Sequence, residues 1–118
     1  MRSLTKIVQP SNLSTVAASQ FQSEIRHAIE SGVDVVLVDL KNITSVTSAS
    51  FIALVKGLKL AHKSDCQLLI CSANEQLRML FELTGLDQVF KVLSDSQEVH
   101  QYIQPVTKVT RFGKAKAA

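Results

Sequence analysis

The sequence predicts an α/β domain in which about four helices pack on a central, mainly parallel sheet of four to five strands. Two observations lead to this fold class. Short runs of β-branched and aliphatic residues alternate along the chain with longer segments whose apolar residues recur at helical spacing. The chain also has 118 residues, of which 46% are hydrophobic and 19% charged. That size and composition suit one globular domain built around one core.

The first half of the chain predicts a strand, a helix and a second strand. Residues 4–8 favour a short strand that the turn residues 9–12 close. Ser14 is a candidate N-cap for a helix that ends at Gly32 and carries one apolar stripe, formed by Phe21, Ile25, Ala28 and Ile29. Residues 34–40 are almost continuously apolar, as is typical of a central strand covered on both faces. The first strand, at one side of the sheet, is compatible with a parallel or an antiparallel orientation. The sequence therefore allows either a wholly parallel or a mixed sheet.

The second half continues the alternation. A second helix is predicted up to about Lys63, and its apolar residues are Phe51, Leu54, Val55 and Leu58. Residues 66–71 form a buried strand, and 73–84 a third helix that Gly85 ends. The inward residues of this helix are predicted to be Leu77, Leu80 and Phe81. A strand over 88–93 and a closing helix over 95–103 complete the domain.

The basic charge is concentrated at the C-terminus. The formal net charge is +3, but residues 106–118 hold four of the thirteen bases and no acid, which leaves nine bases and ten acids, or −1, for the remainder. We therefore predict a domain at 4–103 and a disordered basic tail at 104–118. A face that binds nucleic acid combines bases with stacking aromatic residues, and aromatic residues are only 5% of this chain. Direct nucleic-acid binding is not expected.

Membrane insertion and secretion are not expected either. No apolar run approaches the roughly 20 residues that span a bilayer. The N-terminal residues lack the apolar segment of a signal peptide, which favours a cytoplasmic location.

The motifs of common catalytic sites are missing. The four glycines are scattered singly, so no phosphate-binding loop is formed, and a small-molecule ligand is not expected. His27, His62 and His100 fall on separate predicted helices, which gives neither a metal site nor a catalytic triad. Asp34 and Asp39, at opposite ends of one strand, do not form an acid and base pair. We predict a protein without catalytic activity, metal or cofactor.

The segment 43–51 carries the most informative pattern, because five of its nine residues bear a hydroxyl group. It follows the central strand, and binding sites of parallel sheets tend to form at the carboxyl ends of strands. Ser48 lies at or next to the N-cap of the second helix. Composition alone is compatible with a helix-capping turn and with a binding site.

Two motifs resemble the STAS family. Residues 38–51, VDLKNITSVTSASF, resemble its buried strand ending V-D-L, followed by a hydrophobic turn and D-S-S/T-G-L. Residues 80–87, LFELTGLD, resemble its second signature, L-x-x-T-G-L. The likeness covers residues 4–103 and implies a STAS-like sandwich of the anti-sigma factor antagonist type.

This resemblance implies a binding function with a phosphorylation switch. In the family, the serine after the aspartate is phosphorylated by a partner that is both an anti-sigma factor and a serine kinase, and a phosphatase resets it. The matching residue is Ser48, and Thr47 and Ser50 are weaker candidates. The chain departs from the pattern, since Thr47 replaces the aspartate, Ala49 the second hydroxyl residue and Ser50 the glycine. The alternative is a STAS-like regulatory subunit that docks on a transporter component, such as the ATPase of an ABC exporter, without phosphorylation.

The predicted partner-binding surface comprises the turn and the start of the second helix, that is, Thr47, Ser48, Ala49, Ser50, Phe51, Lys56 and Lys59. Lys56, Lys59 and Lys63 follow one another at spacings of three and four, which places them in one row on a helix. This row is interpreted either as a solvated face or as a site for an acidic partner surface.

Overall fold

The computed structural model describes residues 4–93 and 108–111, and in this part of the chain five strands form one sheet. The strand order is β4-β3-β2-β1-β5, and all four pairings are parallel. The strands are β1 (Leu4–Val8), β2 (Val35–Asp39), β3 (Gln67–Cys71), β4 (Lys91–Val92) and β5 (Lys108–Arg111). The mainly parallel sheet predicted from the sequence is confirmed.

Three helices connect the first four strands: α1 (Thr15–Glu30), α2 (Ser48–Lys63) and α3 (Glu75–Leu83). A short 3₁₀ helix, Leu86–Gln88, follows α3. The N-caps of α1, α2 and α3 are Ser14, Thr47 and Asn74. Each of these side chains accepts a hydrogen bond from the backbone amide three residues further along the chain. Strands β1 to β4 follow one another in one direction across the sheet, and residues of all three helices pack in one core cluster. Right-handed crossovers, the usual connection of parallel strands, place successive helices on one face in this way.

The main core lies between this face and the helices. Val36 and Val38 of β2, together with Leu68 and Ile70 of β3, point toward the helices. They pack in one cluster with Phe21 and Ile25 of α1, Leu54 and Leu58 of α2, and Leu77 and Phe81 of α3. The alternate residues Val35, Leu37, Leu69 and Cys71 form a second buried cluster on the opposite face. The central strand predicted over 34–40 is confirmed over Val35–Asp39. It is covered on both faces, because Val35 to Val38 are each at most 6% exposed.

A close contact between α1 and α2 depends on Gly57. A Cβ atom at this position would lie 2.6 Å from Cδ2 of the buried Phe21 ring. The missing side chain therefore allows the ring to pack directly against the backbone of α2.

The orientation of β1, which the sequence left open, is parallel, and β1 lies inside the sheet between β2 and β5. Two hydrogen bonds to Asp34 hold its first residue, since Asp34 N donates to Leu4 O at 2.8 Å and Leu4 N donates to the Asp34 carboxylate at 2.9 Å. The 16-residue helix α1 supplies the long crossover that a parallel pair requires.

The segment predicted as a strand over 88–93 is strand only at Lys91–Val92. Gly85 adopts the left-handed conformation, with φ of 74°, and ends α3 as predicted. The chain then forms the 3₁₀ turn, in which the amides of Val89 and Phe90 both donate to Leu86 O. The first three residues of the predicted strand, 88–90, therefore belong to this turn, which places Phe90 in the core.

The C-terminal predictions are only partly covered by the structure. The predicted closing helix, 95–103, lies outside the described residues. Within the segment predicted as a tail, residues 108–111 pair with Leu4–Ile7 as strand β5, which the sequence analysis did not predict. These four residues contain Val109 and Thr110, both common in strands, but a run this short among basic residues gives a weak sequence signal.

Candidate functional site

The hydroxyl-rich turn lies at the carboxyl end of the sheet, where it connects β2 to α2. The carboxyl ends of parallel strands meet at one edge, so the turn lies beside the loops that follow β1 and β3. Ile43 and Val46 anchor it in the main core, whereas Thr44 and Ser45 are exposed. The turn is thus anchored by two apolar side chains, while the residues between them are exposed.

Thr47, not Ser48, is the N-cap of α2. Its Oγ1 accepts a hydrogen bond from the Ser50 backbone amide at 3.1 Å, and the Ser50 hydroxyl accepts one from the Thr47 amide at 2.8 Å. This reciprocal pair is a capping box, in which Ser50 takes the place usually held by Glu or Gln. The two residues that depart from the family pattern at the aspartate and glycine positions therefore cap the helix together.

Ser48 is the first residue of α2 and is exposed. Within residues 4–93 and 108–111 its hydroxyl makes no hydrogen bond, and Thr47 and Ser50 form the capping box without it. Ala49 is exposed as well. Ser48 thus presents a hydroxyl group that the fold of the described residues does not use.

We expect Thr47→Ala to lower the free energy of unfolding by about 1 kcal/mol, because it removes the acceptor for the Ser50 amide. Ser48→Ala is the matched control and should change stability by less than about 0.5 kcal/mol. Thr47→Asp should retain most of the stability, since aspartate is also a good N-cap. Urea denaturation measures all three. Equal destabilisation by Thr47→Ala and Ser48→Ala would show that the cap is assigned to the wrong residue.

Phe51, which was included in the predicted partner surface, is buried. It is 9% exposed, and its ring centroid lies 5.7 Å from that of Phe81. The residue anchors the first turn of α2 in the core and does not form part of the exposed surface.

An exposed stripe extends from Ser48 along α2 and comprises Ser48, Ile52, Lys56, Lys59 and Lys63. The spacings of four, four, three and four place these residues on one helical face. Ile52 is 55% exposed and was not singled out from the sequence. Its exposure could have been predicted from the sequence, because Ile52 lies outside the apolar stripe of Phe51, Leu54, Val55 and Leu58. We call this row of five residues the α2 stripe.

Asp39 ends β2 near the turn and has a structural role. One carboxylate oxygen accepts a hydrogen bond from the Lys41 amide at 3.0 Å, and the other accepts one from the Gln9 side-chain amide at 3.0 Å.

The Cys71 thiol lies beside Asp39. Burial, and secondarily the charge of Asp39, raise the pKa of this thiol. A protonated, buried thiol is a poor nucleophile.

Among the described residues, no three of the side chains His, Cys, Asp and Glu come together as a group that could hold a metal ion. His27 and His62 lie on different helices, α1 and α2, and the His62 ring packs edge-on against Phe90, with centroids 5.6 Å apart. His100 lies outside the described residues. Over the same ranges, no helix has the length and apolar character required to cross a membrane.

A family model described as the STAS domain matches residues 5–99, which is most of the chain. No curated protein sequence gives a significant match.

Several solved structures share the fold at low sequence identity. TM1081 of Thermotoga maritima, a candidate anti-sigma factor antagonist, is 23% identical, with a TM-score of 0.68 over 82% of this chain and 85% of its own. An anti-sigma factor antagonist (STAS) domain protein of Planctomyces limnophilus is 22% identical, with a TM-score of 0.60 over 79% and 85%. Unphosphorylated SpoIIAA, an anti-sigma factor antagonist, is 12% identical, with a TM-score of 0.58 over 86% and 89%.

Proposed function

Because the chain belongs to the STAS domain family, we propose that it is a non-catalytic cytoplasmic binding module that acts as an anti-sigma factor antagonist. Its partner in this proposal is an anti-sigma factor that is also a serine kinase. The turn before α2 and the α2 stripe form the docking surface, and phosphorylation of Ser48 weakens docking until a phosphatase removes the phosphate.

The observation that carries the proposal is the exposed hydroxyl of Ser48 at the start of α2. Ser48 occupies the position that matches the phosphorylated serine of the family pattern. Its hydroxyl is exposed and makes no hydrogen bond within the described residues, so a kinase can reach it without disrupting the helix cap. Phosphate at this position also faces the positive end of the helix dipole, which tolerates negative charge.

The missing aspartate is compatible with this geometry. An aspartate before the serine would be the N-cap of α2, and Thr47 fills that role through its capping box with Ser50. The replacement therefore removes a negative charge beside Ser48 while the start of the helix keeps its shape.

The charge of the α2 stripe supports an acidic partner surface. Lys56, Lys59 and Lys63 are exposed on the same face as Ser48 and Ile52, so the stripe joins one apolar residue to a row of positive charge. A phosphoserine adds about −1.5 to −2 charges to the end of this row. Against an acidic partner the new charge is both repelled and desolvated. A loss of about 3 kcal/mol weakens binding more than a hundredfold.

One observation favours a second candidate function. Thr47, Ala49 and Ser50 all depart from the family's phosphorylation motif. A STAS-like subunit that docks on a transporter component, such as an ABC exporter ATPase, would use the same surface without a phosphorylation cycle.

Affinity purification of the full chain from its native cells, followed by mass spectrometry, tests the proposal. The recovered partner is then incubated with the chain and Mg-ATP, and fragment masses locate any phosphate, with Ser48→Ala as the control. A serine kinase that phosphorylates Ser48 supports the proposal. A transporter ATPase and an unmodified chain support the second candidate. Phosphate on Thr47 or Ser50 would show that the phosphorylated residue belongs to the capping box and is not Ser48.

A further inference from the structure

The backbone of the turn before α2 is held by two side chains, one from the N-cap of α3 and one from the first turn of this helix. Residues 43–47 have no regular secondary structure. The Ile43 carbonyl accepts a hydrogen bond from Asn74 Nδ2 at 3.2 Å, and the Thr44 carbonyl lies 3.4 Å from the same nitrogen. The Val46 carbonyl accepts one from Gln76 Nε2 at 3.4 Å. Three carbonyls of the turn are thus satisfied by two amides about 30 residues further along the chain.

Asn74 links two structures through one rigid amide group. Its Oδ1 accepts the Leu77 backbone amide at 2.9 Å and so caps α3, while Nδ2 of the same planar group donates to the turn. The loop that carries it contains Ser72 with φ of 62°, a left-handed conformation that non-glycine residues seldom adopt. The start of α3 and the shape of the turn are therefore fixed together.

We propose that Asn74, assisted by Gln76, is a positioning residue that holds the docking turn in the shape that presents Ser48. Val46 directly precedes the N-cap Thr47, so the contact from Gln76 fixes the chain where it enters α2. Ile43 is buried, and Asn74 holds its carbonyl while the side chain anchors the turn in the core. The consequence for partner binding rests on the proposed function, whereas the effect on the turn is measurable without a partner.

Asn74→Asp and Asn74→Ser separate the two roles of the residue. Both replacements are good N-caps and keep an acceptor for the Leu77 amide. Asp lacks the donating NH₂ group and places a carboxylate beside the carbonyls, and Ser is too short to reach them. Gln76→Ala removes the contact with Val46 alone, and Gln20→Ala, at an exposed position on α1, is the matched control.

Amide hydrogen exchange followed by NMR is the measurement, with the Thr47 amide as the probe because it is bonded to the Ser50 hydroxyl. We expect this amide to exchange about tenfold faster in Asn74→Asp and Asn74→Ser, and less so in Gln76→Ala, while α1 amides keep their rates. Gln20→Ala should match the parent. Unchanged exchange at Thr47 in both Asn74 variants would overturn the proposal. An increase shared equally by α1 would also overturn it, because that indicates global destabilisation.

Binding to the partner recovered by affinity purification completes the test. If the turn is the docking centre, Asn74→Ser should bind about fivefold to tenfold more weakly than the parent, with Gln20→Ala unchanged. A loosened turn with unchanged affinity would refute both the role of Asn74 in docking and the docking surface itself. Unchanged exchange would refute only the contact between α3 and the turn. The two failures are therefore distinguishable.

Discussion

Replacing Phe81 by alanine is expected to lower the free energy of unfolding by about 3 to 5 kcal/mol. Phe81 is 1% exposed and lies at the centre of an aromatic group, with its ring centroid 5.7 Å from Phe51 and 6.5 Å from Phe90. Alanine would leave a cavity beneath α3 and beside the first turn of α2. A loss of this size is a large part of the roughly 5 to 15 kcal/mol that stabilises a typical domain, so we expect the variant to be much less stable than the parent.

Leu83→Ala is the matched control for Phe81→Ala. Leu83 lies on the same helix but is 76% exposed, and its replacement should change stability by no more than about 0.5 kcal/mol. Urea denaturation followed by circular dichroism measures both variants. A Phe81→Ala protein as stable as the parent would show that α3 does not pack on the sheet through this residue.

Ser48→Glu is expected to leave the fold intact and to weaken partner binding by more than a hundredfold. A carboxylate in the first turn of a helix is stabilising by about 0.3 to 1 kcal/mol, so the melting temperature should not fall. The same charge, unpaired and desolvated against a partner, costs several kcal/mol. Isothermal titration calorimetry with the recovered partner measures the affinity, and thermal denaturation measures stability.

Two control variants show whether weaker binding requires both the negative charge and its position at residue 48. Ser48→Ala should keep the parent's affinity because alanine adds neither charge nor bulk at this exposed position, but it should accept no phosphate there. Ser23→Glu places the same charge at an exposed position on α1 and should bind like the parent. If Ser48→Glu also binds like the parent, the turn is only a helix cap and the docking surface lies elsewhere.

The alternation of strands and helices was predictable because each element buries one face and so carries a periodic pattern. The parallel orientation of β1 was not predictable, since the residues of a short strand do not show whether it pairs parallel or antiparallel with its neighbour. The 3₁₀ turn before β4 was missed because Val89 and Phe90 suit a strand as well as a turn that buries one aromatic ring.

The candidate site was predictable in position but not in its contacts. Ser48 was found through its place after a strand and through the family pattern, whereas the capping box required the geometry of Thr47 and Ser50. Asn74 and Ile43 are 31 residues apart, and their contact involves no periodic pattern. It could therefore not be predicted from the sequence. Phe51 was assigned both to the apolar stripe and to the partner surface. Because its side chain is buried, it belongs to the core.

NMR mapping can locate the docking surface that we propose, which consists of the turn and the α2 stripe. The ¹⁵N-labelled chain is titrated with the unlabelled partner recovered by affinity purification, and shift changes or line broadening are assigned to residues. We expect the largest effects on residues 47–52 and on Lys56 and Lys59, with little change at Arg78 and Glu82 on the exposed side of α3. Perturbations confined to α3 and β4, with the turn unchanged, would contradict this proposal.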